Sequence, residues 1–337
     1  MSIPACLKKY QDLIVSDMHN FLDGSEHEHV KMIYYHLGWL DSSFCKTRLT
    51  PGKLSRPSIT LLVTNTLGGN VLDALPAASA IQIFHDFTLM HDDIEDGDFL
   101  RRHRETVWKI WGVPRAVNAG DAMYTFSIQG IMRVKKNRDQ VMSYLLSIFQ
   151  EIVYGQELDM SFVSMPALDV SVDNYMKMIT GKSAELIGAS AKVGAIISGA
   201  DETIQQNFYQ FGKNLGIAYQ IFDDFISIWG GQSTSGKIEH MDIVEKKKTL
   251  PILLLFQSAD GEDRKLLNKI YTQEKISSAS VKIVLDSLEK YKIKNNILQE
   301  IIYYKNLSIN AINNLNLDES KATDFISIVN WLIPEII

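Results

Sequence analysis

Two short acidic runs hold the side chains best suited to chemistry. The first, Phe87–Asp96, contains Asp92, Asp93, Glu95 and Asp96; the second is Asp223-Asp224, with Ser227 three residues on. On a helix each residue turns by about 100°, so Asp92 and Asp96 fall about 40° apart on one face, and His85 about 20° from Asp92 two turns below. Asp223 follows Asp92 by 131 residues and also closes an apolar stretch, which leaves room for two helices to face each other. Carboxylates at a helix C-terminal end oppose its macrodipole. One such cluster alone reads equally well as a solvated acidic helix end. Two clusters of oxygen ligands, with little histidine or cysteine, suit Mg²⁺, which favours carboxylates together with substrate phosphates. The pair points to a Mg²⁺-bridged polyphosphate held between helices.

Cations recur along the same stretch: Lys53 and Arg56, Arg101-Arg102 directly after the first acidic run, Lys182, Lys237 and Lys247. Each taken singly is more often a solvated surface charge. Their order relative to the acidic runs is what singles them out.

Helical periodicity dominates the elements that must position these groups. It predicts helices over Val71–Asp92, Pro114–Lys135, Asp139–Phe162, Ser171–Ile197 and Glu202–Trp229, with Asp73 and Asp201 as N-caps. No stretch alternates with period two between hairpin signals, so no sheet is expected. The chain has 337 residues, 34 Lys+Arg against 40 Asp+Glu, and no linker-like segment, which reads as one all-α domain over 1–337. A net charge of −6 argues against a nucleic-acid binder. Two cysteines cannot build a disulfide framework, the N-terminus carries no signal peptide, and apolar runs such as Leu250–Phe256 are too short to span a bilayer. A cytoplasmic protein without an integral membrane segment is expected.

In this order the motifs resemble those of the trans-isoprenyl diphosphate synthases, the polyprenyl synthetase family. Gly52-Lys53-x-x-Arg56-Pro57 resembles the first basic motif, and His85-x-Phe-Thr-Leu-x-His-Asp-Asp-Ile-x-Asp96 the first aspartate-rich motif. Arg101-Arg102, Gly120-Asp121-Ala122, Gly155-Gln156-x-x-Asp159, Lys182-Ser183, Tyr219-Gln220-x-x-Asp223-Asp224 and Lys247-x-Thr-Leu-Pro251 complete a series within 52–251, followed by C-terminal helices over 252–337. The resemblance implies an isoprenoid-synthase-type helical bundle with a central apolar pocket. It implies head-to-tail trans condensation of an allylic diphosphate with isopentenyl diphosphate, three Mg²⁺ ions and a homodimer. Asp92, Asp96 and Asp223 would hold metal. Lys182, with these aspartates, would act in catalysis. Arg101, Lys182, Ser183, Gln220, Lys237 and Lys247 would bind the allylic diphosphate, and Lys53, Arg56, His85 and Arg102 the isopentenyl diphosphate. Phe87 and Thr88 would limit chain length, giving a C15–C20 product, because a growing chain cannot pass a packed ring.

The departures are Ser227 at the second motif's usual last aspartate, His103 and Glu105 at a common glycine and proline, Trp108 at a frequent histidine, and Pro51 at a glycine. Two other functions share the resemblance: a class I terpene cyclase, which needs no second diphosphate pocket, and a non-catalytic prenyl-diphosphate-binding partner subunit. Retention of Lys53, Arg56, His85 and Arg102 favours elongation. A His-Asp phosphohydrolase is disfavoured, because His91 lies about 100° round the helix from Asp92.

Overall fold

The computed structural model describes residues 2–22, 26–47, 52–230 and 240–335. Helix accounts for nearly all regular structure, as expected. The chain forms two compact units, residues 1–147 with 189–209 and residues 148–188 with 210–337. Each division falls inside a long helix: α8 (Arg138–Ser164), α10 (Glu185–Ile197) or α11 (Glu202–Trp229).

The first unit contains α1 (Ala5–Lys8), α2 (Gln11–Leu22), α3 (Glu28–His36), α4 (Ser55–Thr66), α5 (Val71–Glu95), α6 (Val107–Trp111) and α7 (Val113–Met132). Helix α5 is its spine, packed on α2, α4 and α7. Ala74, Ala77, Ala78 and Ala80 are fully buried, so neighbouring helices approach closely along its N-terminal half. The N-cap is Asn70, whose side chain accepts from the Leu72 N–H at 3.0 Å. This corrects the expected Asp73, which lies in the first turn and pairs with Lys136 at 2.8 Å. Asp201 does cap as expected, accepting from Ile204 N–H at 2.9 Å.

A two-stranded antiparallel ladder, β1 (Leu100–Arg101) with β2 (Arg104–Glu105), follows the first acidic run. It overturns the expectation of no strand. Arg102 and His103 turn the chain with φ of 51° and 64°, the pair of left-handed residues that a two-residue hairpin of type I′ requires. Asn-Gly normally fills such a turn. The Arg-His pair sends no turn signal, and two-residue strands are too short to alternate.

The second unit contains α9 (Val172–Ile179), most of α11, α12 (Met241–Val244), α13 (Leu250–Ser258), α14 (Gly261–Tyr271), α15 (Ser278–Lys290), α16 (Ile293–Asn313) and α17 (Glu319–Leu332). Helix α13 is almost wholly apolar and packs on α9 and α16. Pro251 in its first turn removes an N–H that has no partner in the helix anyway. The expected continuous helix over 171–197 is instead interrupted by a π-helical turn, Thr180–Ala184, between α9 and α10. Among the described residues, no helix is long and apolar enough to cross a membrane.

Candidate active site

The first acidic run closes α5, its carboxylates falling in the last turn and at the C-cap. Asp92 is half-buried on that turn, Asp96 is its exposed C-cap, and Asp93 between them is only 1% exposed. Adjacent helical residues point about 100° apart, so neighbouring aspartates receive opposite environments. Asp93 turns inward and accepts from Arg101 Nε at 2.5 Å. Burial pushes its carboxyl up to about 6, against the pull of Arg101 and with help from Asp98 and Asp92.

The hairpin that carries Arg101 is fixed from several sides. Arg104 donates to the carbonyls of Tyr35 (2.8 Å) and Leu40 (2.7 Å) and lies 3.9 Å over the Tyr35 ring. Tyr35 donates to the Glu105 carbonyl at 2.6 Å, and Trp108 Nε1 to the Asp98 carbonyl at 2.9 Å. Trp108 therefore anchors the loop with its one N–H donor. A cavity of about 540 Å³ lined by Tyr35, His36, Asp93 and Arg101 to Arg104 opens beside the hairpin.

Further down α5, Arg56 Nη1 lies 3.2 Å from His85 Nε2. A guanidinium only donates, so that nitrogen accepts and the proton sits on Nδ1. Burial, then the charges of Arg56, Arg102 and Arg101, hold the His85 imidazole well below its usual range and thus neutral. Asp86 is completely buried, accepts from Gln82 Nε2 at 2.7 Å, and has Arg102 Nη2 at 3.5 Å. Burial raises its carboxyl despite the Arg102 charge. Lys53 is exposed and its carbonyl accepts from Gln11 at 2.9 Å. Phe87 packs with Phe84, Tyr124 and His91, ring centroids 5.5, 5.4 and 4.8 Å away. The Thr88 hydroxyl is spent on the His85 carbonyl at 2.7 Å. Gly120 of α7 faces His91: a Cβ there would lie 2.1 Å from His91 Nε2, so a larger residue would displace the ring from this position.

The second acidic run is built on the same division of labour with different partners. Asp223 is exposed and Asp224 is 5% exposed. Asp224 accepts from the Tyr175 hydroxyl at 2.5 Å and from Gln220 Nε2 at 3.2 Å. The Gln220 carbonyl oxygen accepts from Ser183 at 2.8 Å. Burial pushes the Asp224 carboxyl up to about 7, opposed by the Tyr175 and Gln220 hydrogen bonds and reinforced by Asp242 and Asp223. The π-turn presents Lys182, which donates to Asp159 at 2.6 Å. Gly155 makes this possible, since a Cβ there would lie 2.2 Å from the Lys182 backbone nitrogen. Lys247 lies 3.2 Å from Glu245. Lys237 lies outside the described residues.

Within the first unit the structure brings Arg56 to His85, and Arg102 to the buried Asp86 beside them; within the second it links Ser183 to Gln220. Sequence reasoning gave no role to Asp93, Asp86, Arg104, Tyr175 or Asp242. Adjacent aspartates look equivalent in a linear reading, and the partners arrive from distant elements. Among the described residues, no three His, Cys, Asp or Glu side chains are gathered closely enough to cage an ion. The outward carboxylates Asp92, Asp96 and Asp223 fit a hard cation that takes one or two protein oxygens and completes its shell with phosphate and water.

A predominantly helical chain with a carboxylate-bearing run near the end of each of two long helices, and cations along the same stretch, is the architecture of one protein class. The family model for polyprenyl synthetase matches residues 38–288, and the chain belongs to that family. It is 32% identical over 256 residues to a (2E,6E)-farnesyl diphosphate synthase of Mycobacterium tuberculosis, covering 76% of this chain and 71% of the relative. It is 36% identical over 248 residues to a geranylgeranyl diphosphate synthase of Saccharolobus solfataricus, covering 71% and 74%. A crystal structure of geranylgeranyl pyrophosphate synthetase from Pyrococcus horikoshii superposes with a TM-score of 0.87 at 29% identity, covering 98% of each chain. A polyprenyl synthetase structure from Streptomyces coelicolor has a TM-score of 0.90 at 24% identity, covering 98% of this chain and all of that one, and shows the shared fold.

Proposed function

We propose that this chain is a polyprenyl diphosphate synthase that joins an allylic diphosphate head-to-tail and in trans to isopentenyl diphosphate, giving C15–C20 products. One observation carries the reading beyond family membership. In both acidic runs one aspartate faces outward while its neighbour is buried as an anchor on a fixed partner, so each helix end carries its outward carboxylate on a backbone held in place.

In the reaction the allylic C–O bond breaks, the isopentenyl double bond supplies the electron pair of the new C–C bond, and the proton lost passes to the released diphosphate. Asp92, Asp96 and Asp223 are the residues that would hold Mg²⁺, three ions arriving with the substrate. When bound, Mg²⁺ supplies charge neutralisation on the leaving group. Arg101, Lys182, Lys247 and Lys237 would contact the allylic diphosphate, and Ser183 and Gln220 would bind it too. These donors act where negative charge develops, which is where electrostatic stabilisation accelerates a reaction most. Lys53, Arg56, His85 and Arg102 hold the co-substrate's diphosphate, which does not ionise. The neutral His85 donates there without adding to the charge of its arginine neighbours. Phe87 closes the end of the growing-chain pocket, braced by Phe84 and Tyr124; Thr88, whose hydroxyl bonds its own helix, shapes that pocket only by bulk.

The assembly proposed is one synthase domain acting as a homodimer in the cytoplasm; the single domain is supported by a family match that draws residues from both units. The test is incubation of purified protein and isopentenyl diphosphate with C5, C10, C15 and C20 primers, with and without Mg²⁺, followed by product sizing. Linear C15–C20 diphosphates and released diphosphate only with Mg²⁺ are expected. Cyclised hydrocarbons, or no diphosphate release from any primer, would refute the reading. Phe87→Ala should shift the products longer by at least one C5 unit, and an unchanged chromatogram removes Phe87 from the pocket floor.

A further inference from the structure

Ser227 stands where the second aspartate-rich motif usually ends in a carboxylate, and it is 8% exposed. Its hydroxyl lies within reach of two acceptors, the Asp224 carbonyl at 2.8 Å and the side chain of Asp242. A hydroxyl has one proton, and both contacts are within hydrogen-bond reach, so Ser227 can donate it to Asp242. Asp242 is itself 7% exposed, although it belongs to the four-residue helix α12, which α11 precedes by more than ten residues. A buried carboxylate there needs a donor, and Ser227 is one.

The contact also fixes backbone. His240 Nδ1 donates to the Ile228 carbonyl at 2.8 Å, so α12 is tied to the end of α11 at two successive positions. The Asp242 carbonyl in turn accepts from the Lys247 N–H at 2.8 Å. His240 and Lys246, with φ of 60° and 58°, flank this short helix in left-handed conformations that hold only where surrounding bonds enforce them. The side chain and the carbonyl of Asp242 thus join the Asp223 helix end to the segment that carries Lys247.

We propose that Asp242 is a positioning residue for the allylic diphosphate, that it supplies through Ser227 the negative charge missing from position 227, and that the serine and the aspartate work as one matched pair. The inference deepens the synthase reading and rests on it for its kinetic arm. Restoring the family's aspartate is then harmful in this chain, because Ser227→Asp sets two buried carboxylates against each other. The exchange Ser227→Asp with Asp242→Ser keeps one carboxylate and one hydroxyl in contact.

The experiment measures melting temperature, kcat, the KM of each substrate and the Mg²⁺ concentration at half-maximal rate for wild type, Ser227→Asp and the exchange. Ser227→Asp is expected to lose about tenfold in kcat/KM for the allylic diphosphate and to need more Mg²⁺, with the KM for isopentenyl diphosphate unchanged. The exchange should recover to within about threefold of wild type. A Ser227→Asp variant as active as wild type, or an exchange no better than that single substitution, overturns the pairing, and the exchange alone decides if Ser227→Asp does not fold. A wild type that releases no diphosphate sinks the synthase reading instead, while the order of melting temperatures still tests the pair.

Discussion

The two acidic helix ends reach one arrangement by different chemistry. At the end of α5 the inward Asp93 is matched by a cation, Arg101, delivered on a hairpin that Arg104, Tyr35 and Trp108 hold in place. At the end of α11 the inward Asp224 is matched by a phenol and an amide, Tyr175 and Gln220. A buried carboxylate must be paired with charge or surrounded by donors. The first solution keeps Asp93 more acidic, at about 6, and ties Arg101 to it. The second lets Asp224 rise to about 7 and leaves the nearby lysine, Lys182, to Asp159. Charge is needed at the first anchor, and hydrogen-bonding shape at the second.

The outward residues should dominate any test of this contrast. Asp92→Ala and Asp223→Ala are each expected to cut kcat by roughly 10³-fold in a diphosphate-release assay. If one of them retained near-normal turnover, the two helix ends would not be functional equivalents. Next in size is Arg56→Ala, which acts only on the first region. It should raise the KM for isopentenyl diphosphate by about 30-fold and leave that for the allylic partner nearly unchanged. Equal effects would remove the separate co-substrate pocket.

The anchors themselves sharpen the comparison. At Asp93, Asn and Ala should be equally harmful, because both discard the charge that holds Arg101, with about a tenfold rise in the allylic KM. At Asp224, Asn should be milder than Ala, whose loss of the acceptor leaves the Tyr175 hydroxyl buried and unpaired at a cost of about 1–3 kcal/mol. Thermal melts and steady-state kinetics on the four variants check this, and a reversed ranking would break it.

The smallest effect concerns pH. Burial, with the charges of Arg102, Arg101 and Arg104, pushes His36 down from 6.5 to about 3. The unfolded chain therefore takes up a proton below about pH 6.5 that the folded chain refuses. Stability should fall with decreasing pH across that window, by at most about 1.4 kcal/mol per pH unit. Asp86 has Oδ1 3.9 Å from His36 Nε2 and a raised carboxyl, so it works in the opposite sense and favours the folded state as pH falls. His36→Gln should flatten the acid side of a melting-temperature profile between pH 6.5 and 5. An unaltered slope would show that other groups set it.

Much of this was legible in the chain. The apolar period of α5 and α11 located both helices and placed an acidic run at the end of each. Asp201 was readable as a cap, whereas Asn70 was passed over for Asp73, which sits three residues later and is equally able to cap. The hairpin was invisible because its turn uses Arg102 and His103 rather than asparagine and glycine. The π-turn was invisible because Thr180-Gly-Lys-Ser-Ala184 contains no proline that would mark a break in the helix. The unlike roles of Asp92 and Asp93, or of Asp223 and Asp224, depend on Arg101, Tyr175 and Gln220, whose positions only the folded chain defines.

That π-turn sets a length rule for the segment. A wider turn holds one residue more than an α-helical path of equal rise. Deleting a single residue from 180–184 would heal α9 and α10 into one regular rod, and the fold could survive the change. The flanking helices would keep their phase, but the residues inside the turn would be respaced around the helix axis. Lys182 and Ser183 would no longer address the partners they now meet. The segment is thus constrained in the number of its residues as well as in their types, since a side chain on Gly181 would meet the Glu151 carbonyl oxygen at 2.7 Å.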